Sequence, residues 1–429
     1  MMQVFTFPGR EQWPQLLERP ALDAAALETS VSRILQAVRT EGDAALRLFS
    51  LEFDRTELTD FTVSPAEWEA AEAAIPADLR AAIETARANI DAFHRRQVQM
   101  SEIVETMPGV RCWRRSLPIE KVGLYIPGGT APLFSTILML GIPAQIAGCR
   151  EIVLCTPPGK DGSVHPAILY TAKVAGITRI FKVGGAQAVA AMAYGTETMP
   201  RVDKIFGPGN QYVTAAKQLV QKDGVAIDMP AGPSEVCVLA DATANPAFVA
   251  ADLLSQAEHG ADSQVLLVST SAELITATLQ EVERQLETLP RKELARRALD
   301  NSKAIQLATP EEALELVNAY AAEHLILSCT EAEAVAGRVT TAGSVFIGHY
   351  SPESVGDYAS GTNHTLPTNG YARAYSGVSL DSFVKKITFQ QLSADGLARI
   401  GSAVMTLAEA EGLDAHARAV SVRLQQQTS

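Results

Sequence analysis

The chain has 429 residues but only seven histidines, and five of those fall after residue 258, among carboxylates and glycine-rich turns. In the stretch LSQAEHGADSQ, Gln256 and His259 stand three residues apart, which puts them on one face of a helix end. An amide oxygen and an imidazole nitrogen aimed the same way can supply half of a metal site, with the remaining ligands coming from elsewhere. Asp357, in SPESVGDYASGTNH, offers a carboxylate on a polar loop, and His416, in EAEGLDAH, offers another imidazole. The plainer alternative is that Gln256 and His259 only close a helix. Glu323 and His324 form a second pair at an expected helix-to-strand junction, where a carboxylate and an imidazole can divide acid and base work from opposite sides of a strand. A Glu-His dipeptide by itself is also common at a surface.

Glycine-rich turns make the third feature: IPGGTAP (126–132), VGGAQA (183–188) and FGPGN (206–210). Such turns either let a ligand approach the backbone N–H groups or are simply tight turns. All three lie at the carboxyl ends of expected strands, where open α/β sheets bind ligands. No GxGxxG follows a strand, so the usual dinucleotide fingerprint is missing. The five cysteines (112, 149, 155, 237 and 329) form no CxxC pair, and no His or Lys neighbours Cys149 to activate it. All five read as reduced, buried apolar residues of a cytoplasmic protein.

The elements that must carry these residues read as follows. The first hundred residues are expected to be helical, with Ser64-Pro65-Ala66-Glu67 as a capping box opening a run toward Arg96. From Lys121 onward, LYIP (124–127), EIVLC (151–155), RIFKVGG (179–185) and KIFGPGN (204–210) recur every 20–30 residues, the spacing of strand–helix–strand units around a parallel sheet. A second set contains EVCVLAD (235–241), a helix from Pro246 to about His259, SQVLLVS (263–269), HLILSC and SVFIG (344–348). Thr309 is expected to cap a helix ending near Ala322, and Thr330 to cap the next one. A polar, Gly-rich loop follows from His349 to about Arg373, then two helical stretches, Ser379–Ser393 and Asp395–Gln427. The uncharged run 122–149, broken by Pro and Gly, reads as buried core in place of a membrane span.

Composition narrows the classes. At about 150 residues per domain the length gives roughly three units, and 47% apolar with 20% charged residues is ordinary for a globular chain. Thirty-six basic against 49 acidic residues leave a net charge of −13 with no basic stripe, which argues against nucleic acid as a partner. The first residues, MMQVFTFPGREQW, have no basic-then-apolar signal pattern.

Five long segments together resemble the histidinol dehydrogenase family: VGLYIPGGTAPLFSTILML (122–140), GGAQAVAAMAYGTE (184–197), IDMPAGPSEV (227–236), LLSQAEHGADSQV (253–265) and SPESVGDYASGTNHTLPT (351–368). The resemblance runs in the same order from about residue 20 to the C-terminus. It implies an NAD-dependent enzyme that oxidises L-histidinol through L-histidinal to L-histidine, with one zinc ion per subunit. It assigns zinc to Gln256, His259, Asp357 and His416. His324 is implied as the base for the alcohol step, and Glu323 as the residue that activates water against the aldehyde. Ser234, His324 and Glu411, with the metal ligands, are implied substrate contacts, and Tyr125, Gln187 and Asn210 contacts for NAD. The family is homodimeric, so His416 and Glu411 are expected to reach a neighbour's site. One departure stands out: Ala322 occupies the position where the family has Pro before Glu-His.

The expected architecture is two incomplete Rossmann-like α/β domains with helical extensions at both ends. Its divisions are 1–22 as an extension, 23–124 with 235–378 as a zinc and catalytic domain, 125–234 as an NAD domain, and 379–429 as a helical tail contacting the partner subunit. Two rival readings are a dehydrogenase of the same fold acting on another alcohol and a zinc-dependent hydrolase working without NAD. A third is an inactive nucleotide-binding or scaffold protein.

Overall fold

The structure, a computed structural model, describes residues 2–20, 24–128 and 132–425. An edge strand, β1 (Gln3–Thr6), is followed after a long helical stretch by a hairpin, β2 (Ile103–Met107) and β3 (Val110–Pro118). Five strands come next: β4 (Lys121–Tyr125), β5 (Glu151–Thr156), β6 (Arg179–Lys182), β7 (Lys204–Phe206) and β8 (Ala226–Ile227). The rest are β9 (Glu235–Ala240), β10 (Gln264–Ser269), β11 (Lys303–Gln306), β12 (His324–Ser328), β13 (Ser344–Ile347) and β14 (Val384–Leu392). Contacts sort these into two units, Met1–Arg96 with Ile119–Phe383, and Gln97–Pro118 with Val384–Ser429.

The first unit holds two parallel sheets of the same topology. One runs β6-β5-β4-β7-β8; the other runs β11-β10-β9-β12-β13, with β1 added beside β11. In each, the chain starts in the middle, builds outward on one side, then crosses back to build the other. That is the Rossmann-like order without its sixth strand, and it creates a switch point between β4 and β7 and another between β9 and β12.

Alternation along the strands sends neighbouring side chains to opposite faces, and both faces are buried. In the five-stranded sheet, Val122, Leu124, Ile152 and Leu154 enter one core while Tyr125, Val153, Cys155 and Phe181 enter the other. The six-stranded sheet divides likewise, with Val236, Val238 and Leu267 on one side and Cys237, Leu239 and Leu266 on the other. The uncharged run 122–149 is indeed core: β4 leads to the helix Ser135–Ala147, ten of whose residues are buried. Of the IPGGTAP turn, Gly129, Thr130 and Ala131 lie outside the described residues. Among the described residues no helix is long and apolar enough to cross a membrane.

Three expectations need correction. The N-terminal helices do not join the strands of 235–378: Val31, Ile34 and Val38 of the helix Ala24–Glu41, and Ile83 and Ile90 of Ala77–Arg95, complete the two cores of the five-stranded sheet. A parallel sheet must be covered on both faces, and chain order does not say which sheet a preceding helix will cover. Residues 384–392 are not helical but form the nine-residue strand β14, paired antiparallel with β3, about 270 positions earlier in the chain. Phe389 sits directly opposite Trp113, their rings stacked at 5.5 Å. The tail beyond it is two helices, Ala394–Ala410 and Asp414–Gln425, because Gly412 takes a left-handed turn (φ 73°) between them. With the β14-β3-β2 sheet, these helices make up the second unit.

Candidate active site

A cleft of about 670 Å³ opens in the first unit, lined from both sheets. The five-stranded sheet contributes the carboxyl ends of its switch-point strands, through Pro127 and the Gly207–Asn210 loop. The six-stranded sheet faces the cleft with its amino ends: Ser234 just before β9, and Glu323-His324 at the start of β12. The usual location at carboxyl ends therefore holds for one sheet and is reversed in the other. In the six-stranded sheet the carboxyl edge is occupied by its own polar groups, with Ser328 Oγ on His349 Nδ1 at 2.9 Å and Thr243 donating to Asp241.

Local sequence explains how each side chain arrives. Thr309 caps the helix Pro310–Tyr320 by accepting the Glu312 N–H, and Ala321 ends it in a left-handed conformation (φ 56°) that turns the chain into β12. Ala322 is buried and its carbonyl accepts the Gly343 N–H at 2.9 Å, so the turn is fixed without the family's proline. Thr330 caps nothing; its N–H instead donates to Asp241. Asn245 and Pro246 start the helix Pro246–Ala257, whose last turn carries Gln256, and the His259 N–H then bonds back to the Gln256 carbonyl. The loop after β13 is not wholly irregular: a short helix, Glu353–Tyr358, bears Asp357.

His324 is buried at the centre of the group. Its Nδ1 lies 3.2 Å from the Glu235 carbonyl, 3.4 Å from the Gln256 amide Nε2 and 3.6 Å from Glu323 Oε2. Its Nε2 lies 3.2 Å from Asp357 Oδ1. Burial pulls the imidazole's pKa down, but Glu323 and Asp357 outweigh it and hold the value well above the ordinary range. For Asp357, burial pushes upward and His324, with His364 and His259, brings the net pKa below the usual carboxylate value. Burial raises the Glu323 carboxyl, against the pull of His324 and the Glu235 N–H, which donates to Glu323 Oε2 at 2.9 Å.

His259 stands on the cleft wall with its pKa lowered, first by the surrounding protein and then by His324, His364 and Arg291, against Asp357. The amide oxygen Oε1 of the fully buried Gln256 has no hydrogen-bond partner among the described residues. An orphaned buried carbonyl oxygen, an imidazole with a lowered pKa and a carboxylate with a lowered pKa, all lining one cleft, are donor types that fit a divalent cation taking nitrogen and oxygen ligands. Among the described residues no three His, Cys, Asp or Glu side chains gather into a group that could hold a metal ion.

The cleft thus brings together Ser234, Gln256, His259, Glu323, His324, Asp357 and Asn210. Glu411 and His416 are not on its wall; they lie exposed in the second unit, at the end of one helix and in the first turn of the next. Tyr125 and Gln187 are buried at the carboxyl edge of the five-stranded sheet. The Tyr125 hydroxyl accepts the Gly185 N–H at 3.1 Å, and burial pushes its pKa up to about 12. Asp54 Oδ2 and Thr156 Oγ1 are buried without partners among the described residues; Asp54 acts electrostatically on Tyr125, and Thr156 ends β5. Unsatisfied polar oxygens at that edge fit a hydroxyl-rich ligand such as a dinucleotide.

The glycines of the turns answer to packing. A Cβ on Gly207 would meet the Tyr125 carbonyl at 2.1 Å, and one on Gly184 would meet Pro157 at 2.5 Å. The Gly207 loop is clamped by a buried ion pair: Asp228 accepts the Gly207 N–H, while its partner Lys217 donates to the Gly207 carbonyl. The cysteines form no disulfides. Cys149, Cys155 and Cys237 are buried, and burial pushes the thiols of Cys149 and Cys237 up to about 11 and about 12, which leaves them poor nucleophiles. Cys112 and Cys329 are only half-buried, contrary to expectation.

Several participants escaped the sequence reading. His364 is half-buried on the cleft wall, its Nδ1 2.8 Å from the Asp357 carbonyl and its Nε2 3.0 Å from Thr136 Oγ1. Glu353 is fully buried, accepts from Ser255 Oγ at 2.5 Å, and is pushed up to about 8 by burial. Both lie in the 351–368 segment, and the four-residue spacing of Glu353 and Asp357 marks a shared helical face. The buried ion pairs Lys217–Asp228 and Arg19–Glu235 left no local signal.

Comparison with known proteins gives a consistent result. The histidinol dehydrogenase family profile matches residues 17–424. A histidinol dehydrogenase of Bacteroides fragilis (strain YCH46) is 60% identical over 425 residues, covering 99% of each chain. One of Xanthomonas axonopodis pv. citri is 57% identical over 410 residues, 95% of each. The crystal structure of histidinol dehydrogenase from Elizabethkingia anophelis superposes with a TM-score of 0.98 at 56% identity, over 100% of this chain and 99% of that one.

Proposed function

From the premise that this chain belongs to the histidinol dehydrogenase family and is an oxidoreductase of histidine biosynthesis, we propose that its cleft oxidises L-histidinol to L-histidinal and then to L-histidine. The observation that carries this reading is that Glu323 and His324 line the same cleft as the potential metal donors Gln256, His259 and Asp357. His416 of a second copy completes that set, and Glu411 of the same copy joins Ser234 in holding the substrate. Gln256, His259, Asp357 and His416 would hold a zinc ion that would anchor the substrate, and Tyr125, Gln187 and Asn210 would hold NAD, which would supply the hydride acceptor.

The chain's own residues do the proton work. With Nδ1 committed to the Glu235 carbonyl, Nε2 is the basic atom of His324. It faces the cleft beside Asp357 Oδ1 at 3.2 Å, placed to take the alcohol proton as hydride leaves the carbinol carbon. The aldehyde has no removable hydride until water adds to it. Glu323 is held by one oxygen on the Glu235 N–H, which leaves Oε1 to take the water's proton and form the hydrate. The hydrate then loses its C–H hydride and an O–H proton to give the acid. No cysteine is placed to form a thiol adduct, so the hydrate route is the one this cleft supports.

The test is the yield of NADH per histidinol consumed by purified, zinc-loaded protein, repeated after chelation. Two NADH per histidinol, abolished by the chelator and restored by zinc, is the expected result. One NADH with accumulating aldehyde, or turnover untouched by chelation, overturns the scheme.

A further inference from the structure

Both catalytic side chains hang on one residue. Glu235 donates its N–H to Glu323 Oε2 at 2.9 Å and offers its carbonyl to His324 Nδ1 at 3.2 Å. A displacement of the backbone on either side of the Glu235 Cα therefore moves the water-activating carboxylate and the base together. Ser234, immediately before it, lines the same cleft.

The side chain of Glu235 is in turn anchored from a distant part of the chain. Its carboxylate is buried, 2% exposed, and receives a two-pronged ion pair from Arg19, with Nε at 2.5 Å from Oε1 and an Nη2 bond of 2.9 Å to Oε2. The Asn369 N–H adds a third bond to Oε1 at 2.7 Å. Arg19 is itself locked, donating to the Tyr320 carbonyl at 2.9 Å with its guanidinium 4.1 Å from the centre of the Tyr320 ring. The neighbouring Glu18 carbonyl accepts from Gln264 on β10. Tyr320 closes the helix that delivers Glu323, so Arg19 ties together the two strand entries that present the catalytic pair.

We propose that Arg19, through Glu235, is a positioning residue that fixes Glu323 and His324 relative to each other. The inference rests on the catalytic roles proposed above. It needs arginine specifically, because the planar fork makes both carboxylate bonds and the Tyr320 carbonyl bond at once, and a lysine ammonium cannot.

The test compares Arg19→Lys and Arg19→Met with the parent holoenzyme, measuring kcat and KM for histidinol, NADH formation from histidinal, and thermal melting. Partners that orient the ligands of a metal site typically contribute about 10–100-fold, the scale expected of a group that orients a catalytic pair in the same way. Arg19→Lys, which keeps the charge, is expected to melt within a few degrees of the parent and to lose at least about tenfold in kcat, in both oxidation steps, with KM moving less than about threefold. Arg19→Met is expected to lose more. Should it fail to fold, the lysine variant alone decides. A folded Arg19→Lys enzyme with unchanged kcat, or with the whole loss in KM, overturns the proposal. Glu323→Gln and His324→Asn serve as controls: full activity in both would remove the catalytic reading itself, a failure distinct from that of Arg19.

Discussion

Replacing Glu323 by Gln separates the two oxidation steps more cleanly than any other single change. The substitution keeps the shape, and the amide oxygen can still accept the Glu235 N–H now held at 2.9 Å. Burial already disfavours the ionised carboxylate, so a neutral amide should not weaken the fold, and the melting temperature should stay within a few degrees. The first oxidation needs only His324, whose Nδ1 keeps the Glu235 carbonyl. The second needs a base for water, and an amide has no proton affinity in this range. Loss of a positioned general base slows a step by about 10²–10⁴-fold, or roughly 3–5 kcal/mol of barrier. In a rapid-mixing experiment with excess NAD, the variant should form the first NADH at a rate within about threefold of the parent and then release or accumulate aldehyde, the second NADH appearing at least about 100-fold more slowly. Equal slowing of both phases, or a second phase near the parental rate, would refute the division of labour.

Two further outcomes follow from the same geometry. His259→Asn should lose bound zinc and activity together, measured by metal analysis of the purified protein, since it leaves only the Gln256 oxygen, Asp357 and the second copy's His416, with a single imidazole among three donors; a metal-free variant that still turns over would contradict the assignment. Asp252 is raised to about 7 by burial alone. Its folded pKa lies above the unfolded one, so the cost to stability is absent below about pH 4, grows to about pH 7 and is constant above it. At about 1.4 kcal/mol per tenfold the ceiling is ~4 kcal/mol, which partial exposure reduces to ~1–2. Asp252→Asn should therefore melt about 1–2 °C higher at pH 8 and no higher at pH 4.5; an equal gain at both values would contradict the cause.

Local chemistry made much of the fold readable. The Ser64–Glu67 capping box, the helix starts at Pro246 and Thr309-Pro310 and the parallel strands all stand where their side chains dictate. What escaped was non-local. Val384–Leu392 becomes a strand because β3 is there to pair with it, and no feature of its own nine residues names that partner. The N-terminal helices carry the right apolar stripes, yet a stripe does not say which of two similar sheets it will cover. The candidate site shows the same division. Gln256 and His259 are legible from their spacing, but their union with Asp357 and Glu323-His324 came from the family resemblance. Arg19, Glu235, Lys217 and Asp228 act through backbone groups far away in sequence, and only the folded chain reveals them.

The central claim is that the cleft of one copy becomes a complete catalytic centre with His416 of another. Mixing His259→Asn with His416→Asn chains after verified subunit exchange tests it directly. Each parent variant has no intact site, but half of the mixed dimers are heterodimers, and each of those has one intact site, so about a quarter of wild-type activity should appear. No recovered activity in a confirmed heterodimer would show that His416 does not complete a neighbour's cleft.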